Sequence, residues 1–296
     1  MAHVTEALTL HAYLTARSLL GVWQELRHNP SAVLAALVVG VYVLIAIIGP
    51  VIAPYPPSET ALVDRLQEPG AEHWLGTDGL GRDILSRCIY GARVSILIGF
   101  LSVALCVVFG VSLGLMAGYY RGRLDAIFSR MSEILMAFPY LISAIAMMAF
   151  LGPGFFNLIW ALALRGWVEF FRLARGDTLS QETREYVDAA RSLGQPGWQI
   201  MLSEILPNIV PSIIVLATLR VGFMIVLEAS LSFLGVGIPP NIPAWGSMIS
   251  EGRGLLFTAW WVSTLPGLIL MVLVLAINLL GEGLREVLDP RLKVQT

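Results

Sequence analysis

Four ionisable side chains stand at apparent membrane depth within apolar runs: Arg165, Glu169, Arg220 and Glu228. At the centre of a bilayer each costs at least ~2.5 kcal/mol unless it is paired or hydrated. Arg165 and Glu169 are spaced i, i+4 and could pair along one helix. Arg220 and Glu228 lie two helical turns apart on nearly one face, where they could line a water-filled path. An arginine there attracts a carboxylate and a glutamate an ammonium group, which suits a zwitterion. Two readings of Arg220 stand side by side: a pathway group, or a structural pair with a neighbouring helix or partner chain. The same two readings apply to Glu228, whose structural role could include gating.

Other chemistry is scarce. The apolar runs contain neither Asp nor His, so they hold no paired aspartates and no zinc motif of an intramembrane enzyme. The four histidines (His3, His11, His28, His73) are scattered without ligand spacing, and a metal site is not expected. Cys88 and Cys106 would lie about 27 Å apart on one helical rod, too far for a disulfide. Residues 76–83, GTDGLGRD, are glycine-rich but lack the GK[ST] end of a phosphate loop. Asp78, Arg82 and Asp83 are expected to knit this loop by ion pairs and turns, with contact to a substrate-delivering protein as the alternative. No Walker sequence occurs, so ATP hydrolysis is not expected of this chain.

The elements that must position these groups follow from composition. The chain has 296 residues, 56% hydrophobic and 14% charged, with net charge -2 and mean hydropathy +0.75. A soluble domain carries about 25% charged residues, so this is an all-α polytopic membrane protein, and nothing in its charge suggests nucleic-acid binding. Apolar runs at about 32–54, 94–118, 134–152, 155–174, 209–230 and 263–281 give six transmembrane helices. The fourth is weakened by Arg165 and Glu169. No cleavable signal peptide is visible. The segments that hold Arg17, Arg27, Arg121, Arg123, Arg130, Arg172, Arg175, Arg184, Arg191, Arg285, Arg291 and Lys293 outweigh those that hold Arg65, Arg82, Arg87, Arg93 and Arg253. The positive-inside rule therefore places both termini in the cytoplasm.

Residues 1–31 form a cytoplasmic N-terminal segment, amphipathic over 8–28 and suited to the membrane surface. Gly110, Gly114 and Gly118 share one face of the second span, where another backbone can approach closely. Phe138-Pro139 and Pro266 are potential kinks. Trp245, Trp260 and Trp261 suggest interfacial anchoring.

One polar segment breaks the pattern. Residues 185–208, EYVDAARSLGQPGWQIMLSEILPN, read as a short helix, a glycine break, a second short helix and a proline stop. Ala189 and Ala190 would let a partner approach, with Asp188, Arg191 and Arg184 as charges at the rim. Gly194 suits the left-handed end of a helix, and Pro207 leads into the fifth span.

This segment resembles the EAA loop of binding-protein-dependent ABC transporter permeases: EAA, three residues, glycine, then Leu-Pro. Here Asp188-Ala189-Ala190, Gly194 and Leu206-Pro207 fill the pattern. Asp188 stands for the usual Glu, and Glu204 for an apolar residue. LGTDGLGRDILSR (75–87), YGARVS (90–95), EASLSFLGVGIPPNIPAWGSM (228–248) and NLLGEGLREVLDPRL (278–292) are similar to the dipeptide/oligopeptide/nickel subfamily, and to its second permease subunit in particular. The resemblance covers residues 32–296 and implies a type I importer transmembrane domain there.

The resemblance also implies a coupling loop at about 176–208 that docks on an ATPase, with Asp188, Ala189, Ala190, Arg191, Gly194, Glu204 and Pro207 as its residues. The implied partners are a homologous permease, two ATPase subunits that use ATP and Mg, and an extracytoplasmic binding protein. No cofactor is implied for this chain. Peptides lead as substrates, with nickel complexes, opines and other small solutes as alternatives. A self-sufficient channel or ion-coupled carrier is a more remote alternative, because no convincing internal repeat is seen.

Overall fold

The computed structural model describes residues 26–27 and 29–288. The amphipathic segment expected over 8–28 lies almost wholly outside them. The described residues form helices α1 (Pro30–Ile52), α2 (Ile84–Tyr120), α3 (Gly122–Met136), α4 (Tyr140–Leu151), α5 (Phe155–Gln181), α6 (Glu185–Ser192), α7 (Gly197–Phe233), α8 (Trp245–Gly252) and α9 (Trp261–Leu288). No strand occurs among these residues; a lone antiparallel bridge joins Thr77 and Asp83.

Four helices, α1, α2, α7 and α9, are long and apolar enough to cross a bilayer. The sequence led us to expect six spans, and the third departs from that expectation. Residues 134–152 do not form one rod: α3 and α4 meet at 94°, and at most that bent pair counts as a fifth span. Pro139 is the cause. It has no N–H to donate, and it pushes Phe138 away from helical backbone. The twelve residues of α4 rise only about 18 Å, against ~30 Å of hydrocarbon. α5 is long enough at 27 residues, but Arg165, Glu169, Arg172, Arg175 and Asp177 make it too polar for the apolar set.

The 37-residue α2 is the spine, about 55 Å long. Its most extensive partner is α5. The approach is permitted by Gly110, Gly114 and Gly118: a Cβ at these positions would stand 2.4 Å from the Trp167 carbonyl oxygen, 2.6 Å from that of Phe171 and 2.7 Å from Thr178 Cβ. Cys88 and Cys106 are both buried and free on this same helix.

α9 closes the bundle against α1. Asn29 caps α1 through Oδ1 to the Ala32 N–H (3.3 Å) and donates from Nδ2 to Glu286 near the end of α9 (2.8 Å). The start of α1 and the end of α9 therefore lie together. The 185–208 segment lies at the same end, since Arg184, Asn208, Arg285 and Leu288 line one cleft. Loops 53–83 and 234–260 occupy the opposite end of α2. There Trp245 and Trp261 are buried, not interfacial anchors: their indole N–H groups donate to the Cys88 and Thr77 carbonyls. Trp260 is exposed.

Candidate functional site

The polar segment is rigidly built. α6 ends in a Schellman turn, with Gly194 N–H donating to the Arg191 carbonyl and Gln195 N–H to that of Ala190. Gly194 has φ +78, the left-handed conformation that this turn requires and that glycine adopts without strain. Val187 and Ala190 point into the core with Ile200 and Ile205. Ala190 is thus an inward anchor, not a surface for a partner, and Ala189 and Asp188 face outward.

Arg191 is committed within the chain. It donates to Glu182 (2.6 Å) and Asp188 (3.3 Å) and lies over the Tyr119 ring. The Glu182 carboxylate raises the Arg191 pKa above its ordinary value. Glu182 also pairs with Arg121 at the end of α2, so it clamps the segment to the spine. Sequence reasoning passed over Glu182, because an isolated acidic residue carries no motif.

Pro207 is not a stop. α7 runs unbroken from Gly197 to Phe233, and a π-helical turn at Ile200–Ile205 shifts the hydrogen bonding just before Pro207, which has no N–H to offer. Glu204 is half-buried on this turn; it accepts from Ser203 Oγ (3.0 Å), and its carbonyl accepts from Asn208 (2.6 Å). Around this frame Leu193, Trp198 and Leu202 are exposed. Leu193 is 81% exposed on an otherwise anchored segment.

The membrane-depth charges pair across helices instead of along one. Arg220 Nε on α7 donates to Glu169 on α5, and Arg165 does not pair with Glu169. Arg165 donates to the Leu135 carbonyl (3.2 Å) and lies 4.9 Å from the Tyr140 ring centroid. The Arg220 guanidinium lies 5.1 Å from that of Phe223, which meets Tyr140 edge-on. Arg220 and Glu169 are 30% and 26% exposed, whereas Glu228 is 0% exposed. Glu228 accepts from Ser95 on α2 and Ser232 on α7, both at 2.8 Å. Arg220 and Glu228 thus share neither partners nor environment.

At the opposite end Asp78 gathers Arg82 (2.6 Å) and Arg87, and both arginines reach Glu251 at the end of α8 (2.8 and 2.9 Å). Asp83 caps α2 through the Ser86 N–H (2.7 Å) and accepts from His73 (2.9 Å). Arg87, 2% exposed, and Glu251 complete a hub in which the sequence singled out Asp78, Arg82 and Asp83.

The helices long and apolar enough to span a bilayer define a polytopic membrane protein. Comparison with known proteins specifies it. Residues 110–294 match the family described as binding-protein-dependent transport system inner membrane component, and residues 19–69 match the N-terminal TM domain of oligopeptide transport permease C. The chain belongs to the binding-protein-dependent transport family and is an inner-membrane permease.

It is 41% identical to the dipeptide transport system permease protein DppC of Alkalihalophilus pseudofirmus, over 92% of this chain and 89% of the relative. Identity is 43% to the glutathione transport system permease protein GsiD of Pectobacterium atrosepticum (92% and 90%) and 42% to the di/tripeptide permease DppC of Pseudomonas aeruginosa (92% and 91%). The fold is shared with a chain of the inward-facing MetNI methionine ABC transporter at TM-score 0.56 and 19% identity, covering 68% of this chain and 96% of that one.

Proposed function

We propose that this chain is one half of the transmembrane channel of an ATP-driven importer of di- and oligopeptides. It pairs with a homologous permease, two ATPase subunits that use ATP and Mg, and an extracytoplasmic binding protein. The chain itself catalyses no reaction and carries no cofactor. Residues 32–296 are the transmembrane domain, crossing six times, with α5 and the α3–α4 pair among the crossings. Residues 1–31, both termini and the 176–208 segment face the cytoplasm. Relatives named for dipeptide, di/tripeptide and glutathione transport support the substrate class.

The observation that carries the reading is the anchored 185–208 segment with Leu193 and Trp198 presented outward. Asp188, Ala189 and Leu193 dock on the ATPase, while Ala190, Arg191 and Glu204 hold the segment in shape. Beyond Pro207 the helix is continuous for the length of the span. A displacement imposed at Gly197 is therefore delivered along α7 to Arg220 and, at the far end, to Glu228 and its serines. ATP binding in the partners shifts the population between inward- and outward-facing states through this lever. Arg220 faces the pathway, and Glu228 fixes α7 against α2. Asp78, Arg82 and Asp83 brace the extracytoplasmic loop.

Gly194→Asp tests the coupling role. A Cβ at Gly194 meets nothing within 4 Å, so the side chain fits. The positive φ strains an L-residue by only about 1–2 kcal/mol, and the change places a new negative charge on the docking surface. The variant is expected to insert and assemble while ATP hydrolysis is uncoupled from peptide uptake. Uptake at the normal rate rules the coupling role out.

A further inference from the structure

The Glu169–Arg220 pair joins α5 to α7 within apolar runs, where charge is costly. Glu228 is sealed between two serines, and Arg165 is held by a carbonyl and an aromatic ring. Glu169 and Arg220 hold each other while staying about one quarter to one third exposed (26% and 30%). Lipid is a poor neighbour for such a face. Neighbouring residues on the same helices line a cleft of about 600 Å³ between α5, α7 and α9. Leu173, one turn along α5 from Glu169, lines that cleft, as do Leu216, one turn before Arg220, and Leu219 beside it. The volume falls within the range of small-ligand pockets, about 300–1,000 Å³. Farther out, Asp177, Arg184 and Arg285 give the same cleft polar walls.

We propose that the Glu169–Arg220 pair is an exchange site for the two charged ends of a short zwitterionic peptide: Arg220 takes the carboxylate and Glu169 the ammonium group. The inference rests on the reading of this chain as a peptide permease and assigns the residues that meet the cargo. When the path is empty, Glu169 and Arg220 neutralise each other. When a peptide arrives, one ion pair is traded for two, and again no charge is stranded. The trade is close to balanced, which lets the peptide bind and also leave. Phe223, half turned to the open face beside Arg220, offers an apolar shelf to the peptide's side chains. Arg165, not neutralised by Glu169, biases the local field toward the carboxylate.

The test uses the full transporter, this chain with its partner permease, ATPases and binding protein, in proteoliposomes with radiolabelled dialanine. Arg220→Gln and Glu169→Gln are each expected to slow uptake by about tenfold or more, the effect of losing one charge-assisted hydrogen bond. The swap Glu169→Arg with Arg220→Glu is not expected to restore uptake, because the peptide then meets reversed polarity; a purely structural pair is restored by the swap. Restoration by the swap, or normal uptake by both glutamine variants, overturns the exchange site and leaves the permease reading standing. Absence of dialanine uptake by the wild-type complex overturns that reading and the inference with it.

If the glutamine variants do not assemble, Leu219→Cys decides the question. The two native cysteines are buried, so a charged thiosulfonate is expected to label the new thiol, with dialanine protecting it. Labelling that dialanine does not slow, or no labelling, overturns the proposal.

Discussion

Substituting Gly114 by alanine probes the close packing of α2 on α5. The new Cβ would stand 2.6 Å from the Phe171 carbonyl oxygen, 2.8 Å from Ala174 Cβ and 2.9 Å from the Arg175 nitrogen. Two of these neighbours are backbone atoms and cannot turn aside. Ordinary contact begins at 3.4 Å, so α2 and α5 must separate by 3.4 − 2.6 = 0.8 Å at this point. Overpacking of this kind costs about 1–3 kcal/mol. The glycine-to-alanine change in a helix returns about 0.5–1 kcal/mol, so the net loss lies between about 0 and 2.5 kcal/mol, and Gly114→Ala falls about 1–3 kcal/mol below an unhindered glycine-to-alanine change. Gly176 on α5 is the control, because a Cβ there meets nothing within 4 Å; Gly176→Ala should be neutral or stabilising. Denaturant unfolding of the purified transporter in detergent, or its thermal unfolding, compares the two. Equal stability of Gly114→Ala and Gly176→Ala would refute the claim that these glycines set the α2–α5 distance.

Substitutions at two further positions test the other clusters. Arg87→Met leaves the Asp78–Arg82 pair and Glu251 without their buried bridge; removing one partner of a buried ion pair costs about 3–5 kcal/mol, seen as lower yield and a lower unfolding midpoint. Arg87→Lys should recover only part of this, since one ammonium group cannot match the guanidinium fork. Glu228→Gln keeps hydrogen bonding to Ser95 and Ser232 and should cost little. Glu228→Leu leaves both hydroxyls without that partner and should cost about 1–3 kcal/mol; equal unfolding midpoints for the two variants would show that the serine contacts do not hold α7 to α2.

The segment around Gly194 was legible because backbone chemistry is local. A left-handed position after a helix asks for glycine whatever surrounds it, and the Schellman turn formed there. The glycine face of α2 was legible for a similar reason: three glycines at i, i+4 and i+8 share a face in any helix. Pro207 and Pro139 show the limit. Both are prolines in apolar surroundings, yet one is absorbed by a π-helical turn inside a continuous helix and the other breaks a span at 94°. Proline removes one donor, and the neighbouring packing decides whether the chain bends or shifts register.

Composition and apolar run length alone determined that this is a membrane protein of helices, since the bilayer sets length and polarity for every span. Motif order alone determined its family. Which charges meet was decided only in three dimensions. Arg165 and Glu169 are ideally spaced on one helix, but Glu169 turns to Arg220 on another, and Glu228 is enclosed by serines from two helices. An i, i+4 spacing offers a pairing worth a few tenths of a kcal/mol. At membrane depth the need to satisfy every charge is several times larger, so the assembled bundle, and not the spacing, selects the partners.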